Sequence, residues 1–360
     1  MSVLHAESPV VFVSAFAPGD KGAIRAFRLD EKTGALELAS ETKGAENPFF
    51  LALSPNHCFL YAIHAAKFGG KENEQVAAYE VVSRTGELKL LNRQSAMGTA
   101  ACYLYVDATG KTVVVANYSS GSVASLPTSA DGSLGEPVSF IQHAGASVDP
   151  KRQSAPHAHS IVISPNNRFA LAADLGLDQV LVYRLDATTA KLTPHEPPYI
   201  RSPAGAGPRH LTFHPNGKLV YVINELANSV SVFDFNGEAG TLKEKQTIST
   251  LPKDFAGKSY CADVKVTPDG RFLYGTNRGH DSIACYTIAA DGQLTLLDIV
   301  PSRGKGPQNL AITPSGQWLL CANMPGNNLA VFRIDPQSGA IKSAGEPVST
   351  PSPSCIMLLP

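Results

Sequence analysis

Charge is scarce in this chain. Asp, Glu, Lys and Arg make up 17% of its 360 residues, below the roughly 25% usual for a globular protein. Few charges together with 43% hydrophobic residues exclude an intrinsically disordered chain, which needs the opposite balance. The charges also nearly cancel, 30 Lys and Arg against 31 Asp and Glu, for a net of −1. Nothing in that balance attracts nucleic acid or an anionic membrane surface, so neither is expected as a general partner. No apolar run approaches about 18 residues, so no transmembrane helix is expected. Met1 to Phe16 lacks a basic stretch followed by a separate apolar core, and no signal peptide is read there. The six cysteines include no pair two residues apart. In a chain this long and apolar they read as reduced, buried thiols of a cytoplasmic protein, not as a disulfide framework.

Turn formers, by contrast, are abundant: 30 Gly and 26 Pro. The glycines follow no triplet period, which excludes collagen. Many belong to a repeat. A turn of the form x-Gly-x-Leu appears as Thr33-Gly34-Ala35-Leu36, Thr85-Gly86-Glu87-Leu88 and Asp131-Gly132-Ser133-Leu134. Its fourth copy, Thr189-Ala190-Lys191-Leu192, has lost the glycine. Ala239-Gly240-Thr241-Leu242, Asp291-Gly292-Gln293-Leu294 and Ser338-Gly339-Ala340-Ile341 complete the series, at intervals of 46 to 58 residues. A second turn signal runs out of phase with the first, as in Ser164-Pro165-Asn166, His214-Pro215-Asn216-Gly217 and Thr267-Pro268-Asp269-Gly270. Short apolar runs rich in β-branched and aromatic residues flank each copy.

About four strands per repeat of about 50 residues, with no helical periodicity between them, predict an all-β chain. The expected architecture is a seven-bladed β-propeller of four-stranded antiparallel blades, with residues 1–360 forming one domain. The ends fit closure. Pro353 to Pro360 matches the register of Pro208 to Pro215, an inner strand, and Val10 to Phe16 matches a second strand such as Leu60 to Ala65. Together they are expected to complete one blade and remove the open edges.

Seven copies permit an internal comparison. The residue nine after the turn proline, or its equivalent, is His64, Asn117, Asp174, Asn224, Asn277 and Asn323. A polar residue in every copy reads chiefly as structure, because Asn and Asp satisfy local backbone groups at strand ends. The next residue is Ala65, Tyr118, Leu175, Glu225, Arg278 and Met324. Nothing in strand geometry asks for Glu225 or Arg278. The opening position of the inner strand is Phe49, Cys102, His159, Arg209, Ala262, Gln308 and Ser354. Arg209 is its one permanent charge, and His159 stands in the neighbouring blade. Strand alternation would put His157 on the same side as His159, with His210 and Asp263 in the next register.

Inner-strand starts and second-strand ends meet at one mouth of a propeller channel. His157, His159, Arg209, Glu225 and Arg278 are therefore expected around one opening as candidate catalytic residues. Arg209 and Arg278, with His210, Asn117 and Asn277, are candidates for binding substrate. Two arginines suit a carboxylate or phosphate. A carboxylate or imidazole can accept a proton from water, and an arginine can stabilise a developing oxyanion. Ester or lactone hydrolysis needs those parts and no cofactor. The histidines are also metal-ligand types, with Asp174 or Asp263 as further donors, but the flanking arginines would repel a cation and no metal is expected.

These residues resemble a known family. Gly207-Pro208-Arg209-His210-Leu211-Thr212-Phe213-His214-Pro215-Asn216-Gly217, followed by Asn224-Glu225-Leu226, is similar to the seven-bladed lactonases. That family includes propeller-type 6-phosphogluconolactonases and a fungal carboxy-cis,cis-muconate lactonizing enzyme. Ala116-Asn117-Tyr118, Pro156-His157-Ala158-His159-Ser160, Ala173-Asp174-Leu175-Gly176 with Asp178, and Asn277-Arg278-Gly279 look like further motifs of it. The resemblance implies a site of histidine, arginine, glutamate and arginine at His157 or His159, Arg209, Glu225 and Arg278. One departure is Gln308, where family members often carry arginine after the proline. The resemblance implies hydrolysis of an anionic sugar lactone, foremost 6-phospho-D-glucono-1,5-lactone. The alternatives are a lactone-forming cyclase acting on a carboxymuconate and a non-catalytic propeller that binds protein at its rim.

Overall fold

The computed structural model describes residues 8–65 and 70–360. Residues 1–7, where the segment read as lacking a leader begins, lie outside them. The described strands form seven antiparallel sheets. Six have four strands, and in the seventh the outer strand is split into Ile341–Ser343 and Val348–Ser349. The described helical structure is one 3-10 turn, Gly19–Lys21, and no described helix is long and apolar enough to cross a membrane.

Innermost strands pack around a closed circle. Pro48–Leu53 lies against Ala101–Val106, followed by Ala158–Ile163, Pro208–Phe213, Tyr260–Val266, Pro307–Ile312 and Pro353–Leu359, which returns to Pro48–Leu53. Closure comes from both ends of the chain: Pro353–Leu359 pairs with Val10–Ala15, which continues to Ala23–Leu29 and Leu36–Lys43. The seven-bladed architecture and its closure are as the repeat predicts. Second strands such as Thr112–Asn117 and Phe169–Asp174 are buried along their whole length, because neighbouring blades cover both faces. That burial explains their run of Val, Ala and Leu without polar alternation. Outer strands such as Leu36–Lys43 keep only intermittent burial.

The x-Gly-x-Leu motif does more than turn the chain. It locks each blade to its neighbour. Tyr61, Tyr221 and Tyr274, at matching positions of three second strands, donate their hydroxyls to the carbonyls of Gly132, Gly292 and Gly339 at 3.1, 3.1 and 2.8 Å. The turn presses so closely that a Cβ on Gly339 would lie 2.2 Å from the Phe272 ring. In the copy that carries Ala190, at φ 56°, the corresponding second strand opens with Thr112 where the other blades place bulkier groups. Gly339→Ala is therefore expected to cost about 2–4 kcal/mol, combining left-handed strain with overpacking. Gly217→Ala is the control, since its φ is 70° but its nearest neighbour is 3.6 Å away. Equal shifts in their urea midpoints would show that the interlock adds nothing.

Candidate active site

The opening position of the inner strand coincides with a structural device. In all seven blades the pairing register between the first and second strands breaks there. Pro208 pairs with Asn224 and His210 with Ile223, so Arg209 is the extra residue of a β-bulge. His159 is bulged in the same way between Ala158 and Ser160, and Gln308 between Pro307 and Asn309. A bulge re-aims its side chain and stops regular pairing. Five of the seven opening residues, all but Ala262 and Ser354, reach a shared cavity at that end of the ring.

The result is a cavity of about 200 Å³. Bulge residues Phe49, Cys102, His159, Arg209 and Gln308 line it together with Arg152 and with Tyr118, Glu225 and Arg278, each of which follows the recurring polar residue near a second strand's end. Its volume equals about six or seven waters, the bulk of one small ring. A larger cavity, about 590 Å³, opens at the opposite mouth, where the inner-strand ends are mostly apolar and Lys265 is the one charged group of the lining.

Glu225 is the centre of the charged cluster. Its Oε2 accepts from Arg209 Nε at 3.0 Å and from Arg278 Nη2 at 2.7 Å, and its Oε1 accepts from Arg152 Nη2 at 2.5 Å. Burial alone would raise its pKa, but Arg278, Arg209 and Arg152 outweigh burial and hold the carboxyl at about 2. Arg209 is 2% exposed. Burial and Arg278 lower its pKa to about 10, partly offset by Glu225, so it stays charged at neutral pH. His159 Nε2 stands 3.9 Å from Glu225 Oε2, with Nδ1 3.5 Å from Cys102 Sγ. Burial and Arg209 keep that imidazole well below its ordinary range, hence neutral. Burial pushes the Cys102 thiol up, which makes it a poor nucleophile. Three guanidiniums, one carboxylate and a neutral imidazole leave a net excess of two positive charges.

Other residues singled out in the sequence lie apart from this lining. His157 lies outside the cavity lining. It precedes the strand that begins at Ala158, its ring stacks on Tyr118 at 4.5 Å, and its Nδ1 bonds the Tyr118 carbonyl at 2.9 Å. The bulge at His159 breaks the alternation that would have paired the two histidines. His210 is also outside the lining, held between Arg209 Nη1 at 3.1 Å and Asp263 Oδ1 at 2.8 Å. Asn117 and Asn277 are fully buried, with amides that donate to the Ala96 and Thr250 carbonyls at 2.9 and 2.8 Å. They tie strand ends together and are not part of the cavity lining. Cys58 is exposed, unlike the other five cysteines. Among the described residues no group of three or more His, Cys, Asp or Glu side chains is arranged to hold a metal ion.

Arg152 escaped the sequence comparison because it sits on a loop with no counterpart in the other blades. The signal was the longest interval in the repeat, 58 residues between Leu134 and Leu192. The loop is firmly held. Asp149 Oδ1 accepts from the Lys151 and Arg152 amides, and Gln153 Nε2 donates to Asp178 Oδ1 at 2.7 Å. Asp178 also accepts from the amides of Gly205 and Gly207, just before Arg209. One buried carboxylate thus fixes two arginine-bearing segments against each other.

A family model described as lactonase, seven-bladed β-propeller, matches residues 10–358. A 6-phosphogluconolactonase of Bacillus subtilis is 35% identical, covering 97% of each chain. A 6-phosphogluconolactonase of Formosa agariphila is 33% identical, covering 92% of this chain and 94% of its own. Among solved structures, the Pseudomonas aeruginosa periplasmic gluconolactonase superposes with a TM-score of 0.91 at 32% identity, covering 98% of this chain and 99% of its own.

Proposed function

The chain belongs to the lactonase family of seven-bladed β-propellers, and from that premise we propose that it hydrolyses 6-phospho-D-glucono-1,5-lactone to 6-phosphogluconate. The observation that carries the reading is the arginine excess around Glu225, in a cavity the size of one sugar ring. Such a surplus attracts an anionic substrate and stabilises negative charge that develops on it.

Water attacks the lactone carbonyl, its oxygen bonding to the carbonyl carbon while the ring C–O bond breaks. Arg209, rigid and buried, faces the developing oxyanion, and the more exposed Arg152 and Arg278 hold the phosphate. His159 takes the proton from water and returns it to the ring oxygen as it leaves. Of the two candidate bases it is the less encumbered. Glu225 must forgo three cations to accept a proton, whereas His159 is already neutral. Its depressed pKa makes it a weak base in the empty site. A bound dianion offsets the neighbouring arginines and moves it back toward neutrality.

Loss of 6-phospho-D-glucono-1,5-lactone above its spontaneous rate is the direct test, run beside glucono-1,5-lactone and a carboxymuconate on one preparation. The expected order is phosphorylated lactone first. Turnover of the carboxymuconate alone would favour the cyclase, and turnover of neither would overturn the reading.

A further inference from the structure

Behind Arg209 a chain of polar groups runs through the middle of the propeller toward the opposite mouth. Asp263, 1% exposed at its side chain, accepts from His210 Nδ1 at 2.8 Å, Lys265 Nζ at 2.7 Å, Asn309 Nδ2 at 2.7 Å and the Leu310 amide at 2.9 Å. His210 Nε2 lies 3.1 Å from Arg209 Nη1. A guanidinium can only donate, so Nε2 carries the lone pair. A carboxylate can only accept, so Nδ1 carries the proton. Both neighbours thus demand one tautomer.

Packing does not require this arrangement. The residue just after the opening position is Phe50, Tyr103, Ser160, His210, Asp263, Asn309 and Cys355 around the ring. Four blades fill it with aromatic or small side chains. The polar trio comes from three consecutive blades, starting with the one that carries Arg209. Arg209 itself spends Nε on Glu225 and Nη1 on His210 and the Ala262 carbonyl. Among the described residues its Nη2 has no hydrogen-bond partner, although the side chain lines the cavity.

We propose that Asp263 and His210 are positioning residues, which fix the Nδ1–H tautomer of His210 and so hold Arg209 with Nη2 free to face the scissile carbonyl. The role rests on the lactone reading above. Asp263→Asn keeps the shape but supplies a donor. It lets the His210 proton move to Nε2, where it opposes Arg209 donor to donor. Loss of the partner that orients a site residue typically costs 10–100-fold, and kcat is expected to fall by about that factor with KM little changed.

The test combines turnover with ¹⁵N-resolved imidazole spectra, His210 being assigned by the signal lost in His210→Gln. The wild-type chain is expected to show Nδ1 protonated and Nε2 bare, and Asp263→Asn the reverse or a mixture. His210→Gln, which can still accept from Arg209, is expected to keep more kcat than His210→Met, which cannot. An Nε2–H tautomer in an active wild-type enzyme would overturn the proposal alone. So would equal kcat for the Gln and Met variants, a comparison that holds even if Asp263→Asn fails to fold. A wild-type chain with the expected tautomer but no lactone turnover would overturn the reading beneath it.

Discussion

Glu225→Gln is expected to lose about three orders of magnitude in kcat/KM and about 3–5 kcal/mol of stability together. The stability loss follows from burial. Among the described residues, Glu225 is the one carboxylate bonded to Arg152, Arg209 and Arg278. Arg152 and Arg278 are partly exposed, at 32% and 26% of their side chains, and can turn toward water. Arg209, at 2%, cannot. Removing one partner of a buried ion pair strands the other charge, at about 3–5 kcal/mol. The kinetic loss follows from geometry. With Nε released, Arg209 loses the bond that sets the plane of its guanidinium, and an oxyanion donor out of place costs about 10²–10³ in rate. Displaced Arg152 and Arg278 add a binding term.

Inorganic phosphate should restore part of that stability, because it supplies the missing negative charge to the folded state alone. Its effect grows with the logarithm of concentration over its dissociation constant. The wild-type chain, whose cluster already holds a carboxylate, should respond less. Urea unfolding of both proteins with and without phosphate measures the difference. A Glu225→Gln chain as stable as wild type, or an equal response to phosphate, would mean the arginines do not depend on Glu225 for their charge balance.

Arg209, Glu225 and Arg278 were legible in the sequence because the repeat offers six or seven versions of each position, and a permanent charge stands out where most others carry none. What the repeat could not show was the bulge. A regular strand sends Arg209 and His210 to opposite faces. Their contact at 3.1 Å shows the two side chains on the same side of the strand. The same break separates His157 from His159. Polar strand ends read chiefly as structure, and the amides of Asn117 and Asn277 do bond the Ala96 and Thr250 carbonyls. Arg152 belongs to no repeat position, so no comparison between blades could reach it. The glycine motif was legible as a turn, whereas its second role needs Tyr61 or Tyr274 from the adjacent blade to become visible.

Acid is expected to unfold this protein earlier than its carboxylates alone would dictate. Three of the buried histidines are held neutral. Burial lowers His64 to about 4 and His210 to about 3, the latter with help from Arg209, and burial with Arg209 holds His159 well below its ordinary range. In the unfolded chain each titrates near 6.5. Above that value they are neutral in both states and cost nothing. As pH falls below it, the unfolded state binds up to three protons that the folded state refuses, so stability is lost. His64 and His210 each contribute about 1.4 kcal/mol per pH unit, together about 3 kcal/mol per unit between pH 6.5 and their folded values, and His159 adds in the same direction. By pH 5 the loss from these two alone reaches about 4 kcal/mol, close to the whole stability of a marginal domain. Glu225, held at about 2, adds its own loss only below about 4.5. Urea midpoints at pH 7.5, 6 and 5 measure the slope. His64→Asn isolates its own share, since four of the other blades carry asparagine at the same position, Asn117, Asn224, Asn277 and Asn323, and His64 does not line the cavity around Glu225. Its variant should lose stability more slowly on acidification while keeping its turnover. A slope unchanged by that substitution would show that His64 takes up its proton inside the folded ring.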